Sequence, residues 1–122
     1  MILVDSNIII YYFSGMEKAR EFLNENAQNL AISTITVSEV LSYPMREDEL
    51  KYTTDFLKNN FTWFDVSRDI IFKTAEIRRQ KKIKTPDAII GATALIHELT
   101  LASRNEKDFK NLPLNFINPF ND

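Results

Sequence analysis

The chain contains no cysteine and only one histidine. The first absence removes disulfides and thiolate metal sites, and it suits a reducing compartment, so a cytoplasmic protein is expected. The second leaves almost no material for histidine-based zinc sites or a Ser-His-Asp triad. Two glycines and four prolines are too few for a long linker or a low-complexity segment. No apolar run approaches the ~20 residues needed to cross a bilayer, so no membrane span is expected. Met1 leads straight into an apolar strand candidate, and no secretory leader is expected either. The net charge of −2 argues against a protein that holds nucleic acid by a broad positive surface. It does not argue against a nuclease, whose acidic site adds negative charge of its own. What is present is an ordinary globular composition over 122 residues, which points to one domain spanning 1–122. A chain of this size buries roughly two-thirds of the surface its unfolded form exposes.

Short apolar runs alternate with helical patterns. Ile2, Leu3 and Val4 read as a buried strand ending at Asp5. Segment 7–13 is rich in strand-favouring isoleucine and tyrosine, but no clear turn precedes it, so it reads as a short helix. The stripe Ala19, Phe22, Leu23, Ala27 and Leu30 predicts a helix over 16–28. A second strand is expected at 30–33, with Thr34 as N-cap of the helix carrying Glu39 and Pro44 ending that helix. Further helices are predicted over 48–60, 67–82 and 85–98, the last opened by Thr85 and Pro86. Strands at 62–64, 101–103 and, as an edge, 115–117 complete the pattern, with a polar loop over 104–108. This order implies an α/β fold: a mostly parallel sheet of four or five strands with helices on both faces. Sites in such sheets form beyond the carboxyl ends of strands, where Asp5, Glu39, Asn105 and Asp108 fall.

Three carboxylates carry the chemistry. Asp5, Glu39 and Asp87 each stand among residues that should pack against a core, where an isolated charge is costly. Each also has an ordinary role open to it. Asp5 can cap the next helix, Glu39 can pair with an arginine, and Asp87 can oppose the positive end of a helix dipole. If the three converge, they repel one another unless a divalent cation is present. That arrangement suits Mg²⁺ or Mn²⁺ acting on a phosphate ester. Ser6 and Asn7 read as groups that orient Asp5. Gly91 and Ala94 are small and lie on the face of Asp87, which suggests room for a ligand, although small residues also allow close helix contacts.

The run Arg78-Arg79-Gln80-Lys81-Lys82-Ile83-Lys84 places five cations in seven positions and leads to Asp87. It reads as a solvated helix end and as a phosphate-guiding patch. His97 and Trp63 are expected to be ordinary packing or surface residues. Tyr11, Tyr12 and Phe13 read first as core, and second as a groove for a partner helix.

Four segments together resemble a known family. Leu3-Val4-Asp5-Ser6-Asn7, Thr36-Val37-Ser38-Glu39-Val40, Lys84-Thr85-Pro86-Asp87-Ala88-Ile89-Ile90-Gly91-Ala92-Thr93-Ala94 and Leu101-Ala102-Ser103-Arg104-Asn105-Glu106-Lys107-Asp108-Phe109 are similar to the four motifs of PIN-domain ribonucleases. Within these the chain most resembles the VapC-type toxins of toxin–antitoxin pairs. The resemblance implies a PIN-like three-layer fold in which Asp5, Glu39 and Asp87 are catalytic ligands of Mg²⁺ or Mn²⁺. It leaves the fourth position open between Asn105, supplying a neutral oxygen or holding a water, and Asp108 as a fourth catalytic and metal-binding acid. It further implies a metal-dependent endoribonuclease acting on RNA, a VapB-like antitoxin whose tail blocks the acidic pocket, and a homodimer. A housekeeping RNA-processing nuclease is the alternative within the family.

Other classes fit less well. A phosphorylation-dependent receiver needs an acidic pair at the first strand, where only Asp5 stands. A haloacid-dehalogenase phosphatase needs a second aspartate where Asn7 stands. An inactive binding module has no reason to keep the acidic set.

Overall fold

An apolar tripeptide buried on both faces belongs inside a sheet, and Ile2, Leu3 and Val4 lie there. They form β1 (Ile2–Val4), the middle strand of a parallel sheet of order β3-β2-β1-β4-β5. The other strands are β2 (Leu30–Ser33), β3 (Thr62–Phe64), β4 (Thr100–Ala102) and β5 (Phe116–Ile117) in a computed structural model that describes residues 1–121. β1 lies between β2, with Ile2 opposite Leu30, and β4, with Val4 opposite Ala102. The helices are α1 (Ser6–Phe13), α2 (Glu17–Glu25), α3 (Thr34–Leu41), α4 (Glu47–Asn60), α5 (Arg68–Gln80), α6 (Thr85–His97) and α7 (Glu106–Phe109).

The strand period of two sorts the apolar residues into two cores. Leu3, Ala31 and Leu101 join Ile70 and Ile77 of α5 and Ile90 of α6 in one cluster. Ile2, Val4 and Ile32 join Ile8 and Ile9 of α1, Leu23 of α2 and Leu57 of α4 in the other. The expected three-layer α/β arrangement is present, with the carboxyl ends of β1, β2 and β4 lying side by side.

Several local expectations need correction. The N-cap of α3 is Ser33, whose hydroxyl accepts the Ile35 N–H at 3.2 Å. Thr34 is already helical, and its hydroxyl instead accepts the Val66 N–H at 3.2 Å. α2 stops at Glu25, ahead of Gln28, which adopts a left-handed backbone with φ of 70°. Segment 104–108 carries the one-turn helix α7 where a loop was expected. Of Tyr11, Tyr12 and Phe13, read first as core, only Tyr12 packs against a core cluster, and it is half-buried; Tyr11 is half-buried and Phe13 exposed. Ile8 and Ile9 already fill the inward face of α1.

Gly91 does not open space for a ligand. A Cβ built there would lie 2.8 Å from Leu112 Cδ1, so the glycine lets the segment after α7 close onto α6. Gly91→Val is expected to destabilise the fold by about 1–3 kcal/mol through overpacking, read by urea unfolding. Gly91→Ala should cost much less, because the end of the Leu112 side chain can swing aside and alanine favours the helix. Adding Leu112→Ala should recover part of the Gly91→Val loss.

Candidate active site

Asp5 follows directly from β1 and caps α1, which fixes it at the carboxyl edge of the sheet centre. It is buried, with 5% of its surface exposed, yet its carboxylate is well satisfied. Oδ1 accepts the Ser6 N–H at 2.8 Å. Oδ2 accepts the Ser103 hydroxyl at 2.8 Å and makes a longer contact, 3.5 Å, with the Asn7 amide. The Asp5 N–H in turn donates to the Ala102 carbonyl at 3.0 Å, tying it to the end of β4.

Ser103 is the hub of this network. Its hydroxyl donates to Asp5 and accepts from Asn7 Nδ2 at 3.2 Å and from the Asn105 N–H at 2.9 Å. That is the full capacity of a hydroxyl, one donor and two lone pairs. Asn7 Oδ1 also accepts the Arg104 N–H at 3.2 Å. The first turn of α1 and the loop after β4 are thereby one polar unit. Asn105 Nδ2 donates to Asp108 Oδ2 at 2.6 Å, so the two candidates for the fourth position form a pair at the exposed rim.

Glu39 comes from α3 and Asp87 from the first turn of α6, and both are half-buried. Burial pushes the Asp5 carboxyl up, against the lowering effect of the Ser103 and Ser6 hydrogen bonds. Glu39 is pushed up by burial and by the charge of Asp5, and pulled down by a side-chain hydrogen bond with Ser6. Asp87 is pushed up to about 6, first by burial and then by the charges of Asp5, Asp108 and Glu39. A hydrogen bond with Asp108 adds to this by favouring the protonated form. Four acids from four separate segments therefore share one electrostatic field.

No ion pair among the described residues involves them: Arg46 pairs with Asp48 and Glu49, Lys51 with Asp55, and Lys73 with Glu76. Among the described residues no group of three or more His, Asp or Glu side chains is close enough to hold a metal ion as it stands. The donors are all hard oxygens. Mg²⁺ is held by one or two carboxylates with several waters kept, so an open, uncompensated carboxylate group fits Mg²⁺ or Mn²⁺ by its chemistry.

Ser103 is the residue that sequence reading undervalued, naming it only as part of the fourth segment. A groove of about 650 Å³ is lined by Ile10, Phe13, Val40, Tyr43, Met45 and Tyr52 among others, so the second reading of segment 11–13 fits at Phe13, while the other lining residues were not singled out. The exposed aromatic end of segment 7–13 was its one legible signal. Trp63 and His97 have packing roles: Trp63 Nε1 donates to the Leu57 carbonyl at 2.9 Å, and His97 lies 4.5 Å from the Phe64 ring centre.

The raised carboxyl of Asp87 has a stability consequence. Its folded value of about 6 lies above the ordinary 3.8, so the ionised form opposes folding. Stability from this group is complete below the ordinary value and is lost as pH rises through the folded one. Asp87→Asn is therefore expected to stabilise the divalent-free protein at neutral pH by about 1 kcal/mol, a figure reduced for solvent screening of a half-buried group. The gain should fade towards about pH 4. Thermal unfolding across that pH range checks the sign and the window.

Comparison with family models matches residues 2–114 to the PIN domain. A toxin–antitoxin complex from Klebsiella pneumoniae superposes with a TM-score of 0.90 at 36% identity, covering 100% of both chains. VapBC2 from Rickettsia felis, bound to a DNA fragment from its promoter, gives 0.82 at 25% identity over 97% of this chain and 98% of that one. FitAcB from Neisseria gonorrhoeae gives 0.80 at 23% identity over 100% of both, a likeness of fold alone. Comparison with curated proteins gave no match. Carrying the family's pattern from its first strand to the segment that closes over α6, the chain belongs to the PIN domain family.

Proposed function

We propose that this chain is a metal-dependent endoribonuclease that hydrolyses RNA phosphodiester bonds, and that it is the toxin of a VapBC-type toxin–antitoxin pair. The observation that carries the reading is the buried, hydrogen-bonded Asp5 sharing its field with Glu39, Asp87 and Asp108, none of them in an ion pair among the described residues. Membership of the PIN family supports a nuclease, and the solved toxin–antitoxin complexes support the biological role.

Asp5, Glu39 and Asp87 would hold Mg²⁺ or Mn²⁺, with Asp108 contributing at the rim. When bound, the ion supplies Lewis acidity and a water of lowered pKa. The remaining work belongs to the chain's own groups. Ser103 and the Ser6 N–H hold the Asp5 carboxyl in one orientation and partly offset the effect of its burial. Glu39, steadied by its hydrogen bond with Ser6, orients the attacking water with its carboxylate. Asn105 holds Asp108 in place.

The partner is a VapB-like antitoxin, as in the related complexes. The apolar groove between α1 and α4 suits a helical segment of it, and its tail would reach on to block the acidic pocket. A homodimer in the cytoplasm completes the proposal. No helix among the described residues is long and apolar enough to cross a membrane.

Incubation with total RNA should give cleavage with Mg²⁺ or Mn²⁺ and none with EDTA. Asp5→Asn should fold normally by circular dichroism and lose cleavage; retained metal-dependent cleavage in this variant would overturn the reading. Ser103→Ala leaves the acids in place but removes the Asp5 anchor, and should lower activity by about 10- to 100-fold. Expression of the wild-type chain should arrest growth, and Asp5→Asn should relieve the arrest.

A further inference from the structure

The turn between α5 and α6 holds a feature that the acidic centre does not use. Five of the chain's 15 lysines and arginines occur between positions 78 and 84, with no acid among them. All five are exposed, and none takes part in an ion pair among the described residues. They are not a loose tail. Arg78 Nε donates to the Ile83 carbonyl at 3.2 Å, the Lys81 N–H donates to the Ile77 carbonyl at 2.9 Å, and Ile83 is buried in the core. The turn so fixed borders a cleft of about 430 Å³ lined by residues 78–83.

Helix stability accounts for only part of this. Arg78 and Arg79 lie in the last turn of α5, where cations suit the negative end of the dipole. Lys84 does the opposite. It is the N-cap of α6, makes no side-chain cap, and puts a cation at the positive end of that helix. Local stability favours Ser, Thr, Asp or Asn there. Lys84 thus stands against the local preference, one helical turn (roughly 5 Å of rise) before Asp87. A further requirement comes from the centre itself. Four carboxylates in a chain of net charge −2 repel the phosphates of any nucleic acid that approaches.

We propose that Arg79, Lys81, Lys82 and Lys84 form a phosphate-contact track along which the RNA backbone is held as it enters the acidic centre. The inference rests on the ribonuclease reading above. An acidic protein segment has the same charge chemistry, but the track runs along the chain into the first turn of α6, which carries Asp87, where a strand to be cut must arrive and a regulatory peptide need not.

The test uses the full chain carrying Asp5→Asn, in EDTA, with a labelled single-stranded RNA oligonucleotide across a salt series. Adding Arg79→Gln, Lys81→Gln and Lys82→Gln together should weaken binding at least tenfold at low salt. The slope of log affinity on log salt should fall by roughly 0.7 for each phosphate no longer neutralised, about 2 in all. In the otherwise wild-type chain the same triple change should raise KM and leave kcat nearly unchanged. Lys84→Ser should weaken RNA binding while raising Tm, a pair of opposite shifts that a merely structural lysine would not produce. Unchanged affinity and salt slope in the folded triple variant would overturn the track while leaving the ribonuclease reading intact. Loss of binding to the antitoxin with RNA binding preserved would overturn it in favour of a protein contact. Absence of RNA cleavage by the wild-type chain with Mg²⁺ and Mn²⁺ would defeat the ribonuclease reading, and the track with it.

Discussion

The hydrogen bond from the Ser103 hydroxyl to Asp5 is the contact on which the site depends. A carboxylate at the end of a central strand loses most of its water, and its ionised form survives only if dipoles replace that water. Ser103 and the first amide of α1 replace it from opposite sides. The same hydroxyl collects Asn7 and the Asn105 amide, so one side chain aligns both walls of the pocket. Every other acid is then placed relative to a fixed reference charge.

The sheet explains why these groups meet. In a parallel sheet all carboxyl ends lie on one edge, and helices that begin there direct their first turns towards the gap. α1 and α3 start directly after β1 and β2, and α7 follows β4 after a short loop. α6 adds Asp87 from its own first turn. Packing keeps these helix starts at that edge: Ile8 and Ile9 anchor α1, and Gly91 lets Leu112 close over α6. Negative charge is thereby concentrated by backbone topology, and each helix start contributes a dipole that favours an anion nearby. The result is a centre held in place by the fold and still short of positive charge.

How far the sequence could be read depends on the range of the interaction concerned. Asp5, Glu39 and Asp87 could be picked out as candidates because each interrupts an apolar pattern, a signal contained within a few residues. The parallel α/β arrangement was legible because short apolar runs alternate with helical stripes. Ser103 was not, because its role follows from pairing Val4 with Ala102, a register between segments far apart in the chain. Gly91 misled for a related reason: a small residue on a helix wheel does not say which segment fills the gap. Ser33 and Thr34 are both good caps, and the choice turned on a distant amide, that of Val66, taking the threonine. α7 is one turn long and offers no periodicity to detect. Phe13 looked like core because it follows Ile8 and Ile9 in one apolar run, but a helix of eight residues has an outer face too.

The strand order carries a consequence for synthesis. β1 leaves the ribosome first, and its partner β2 and then β3 follow soon after, but β4 and β5 are made last. A nascent or truncated product that stops before β4 has Asp5 with neither the Ser103 hydroxyl nor the Ala102 carbonyl to hold it. Its aspartate then keeps only the Ser6 N–H as a close donor and lies beside an open sheet edge, the kind of surface that makes incomplete chains prone to aggregation. The support of Asp5 is therefore completed only by residues of β4 and the loop that follows it.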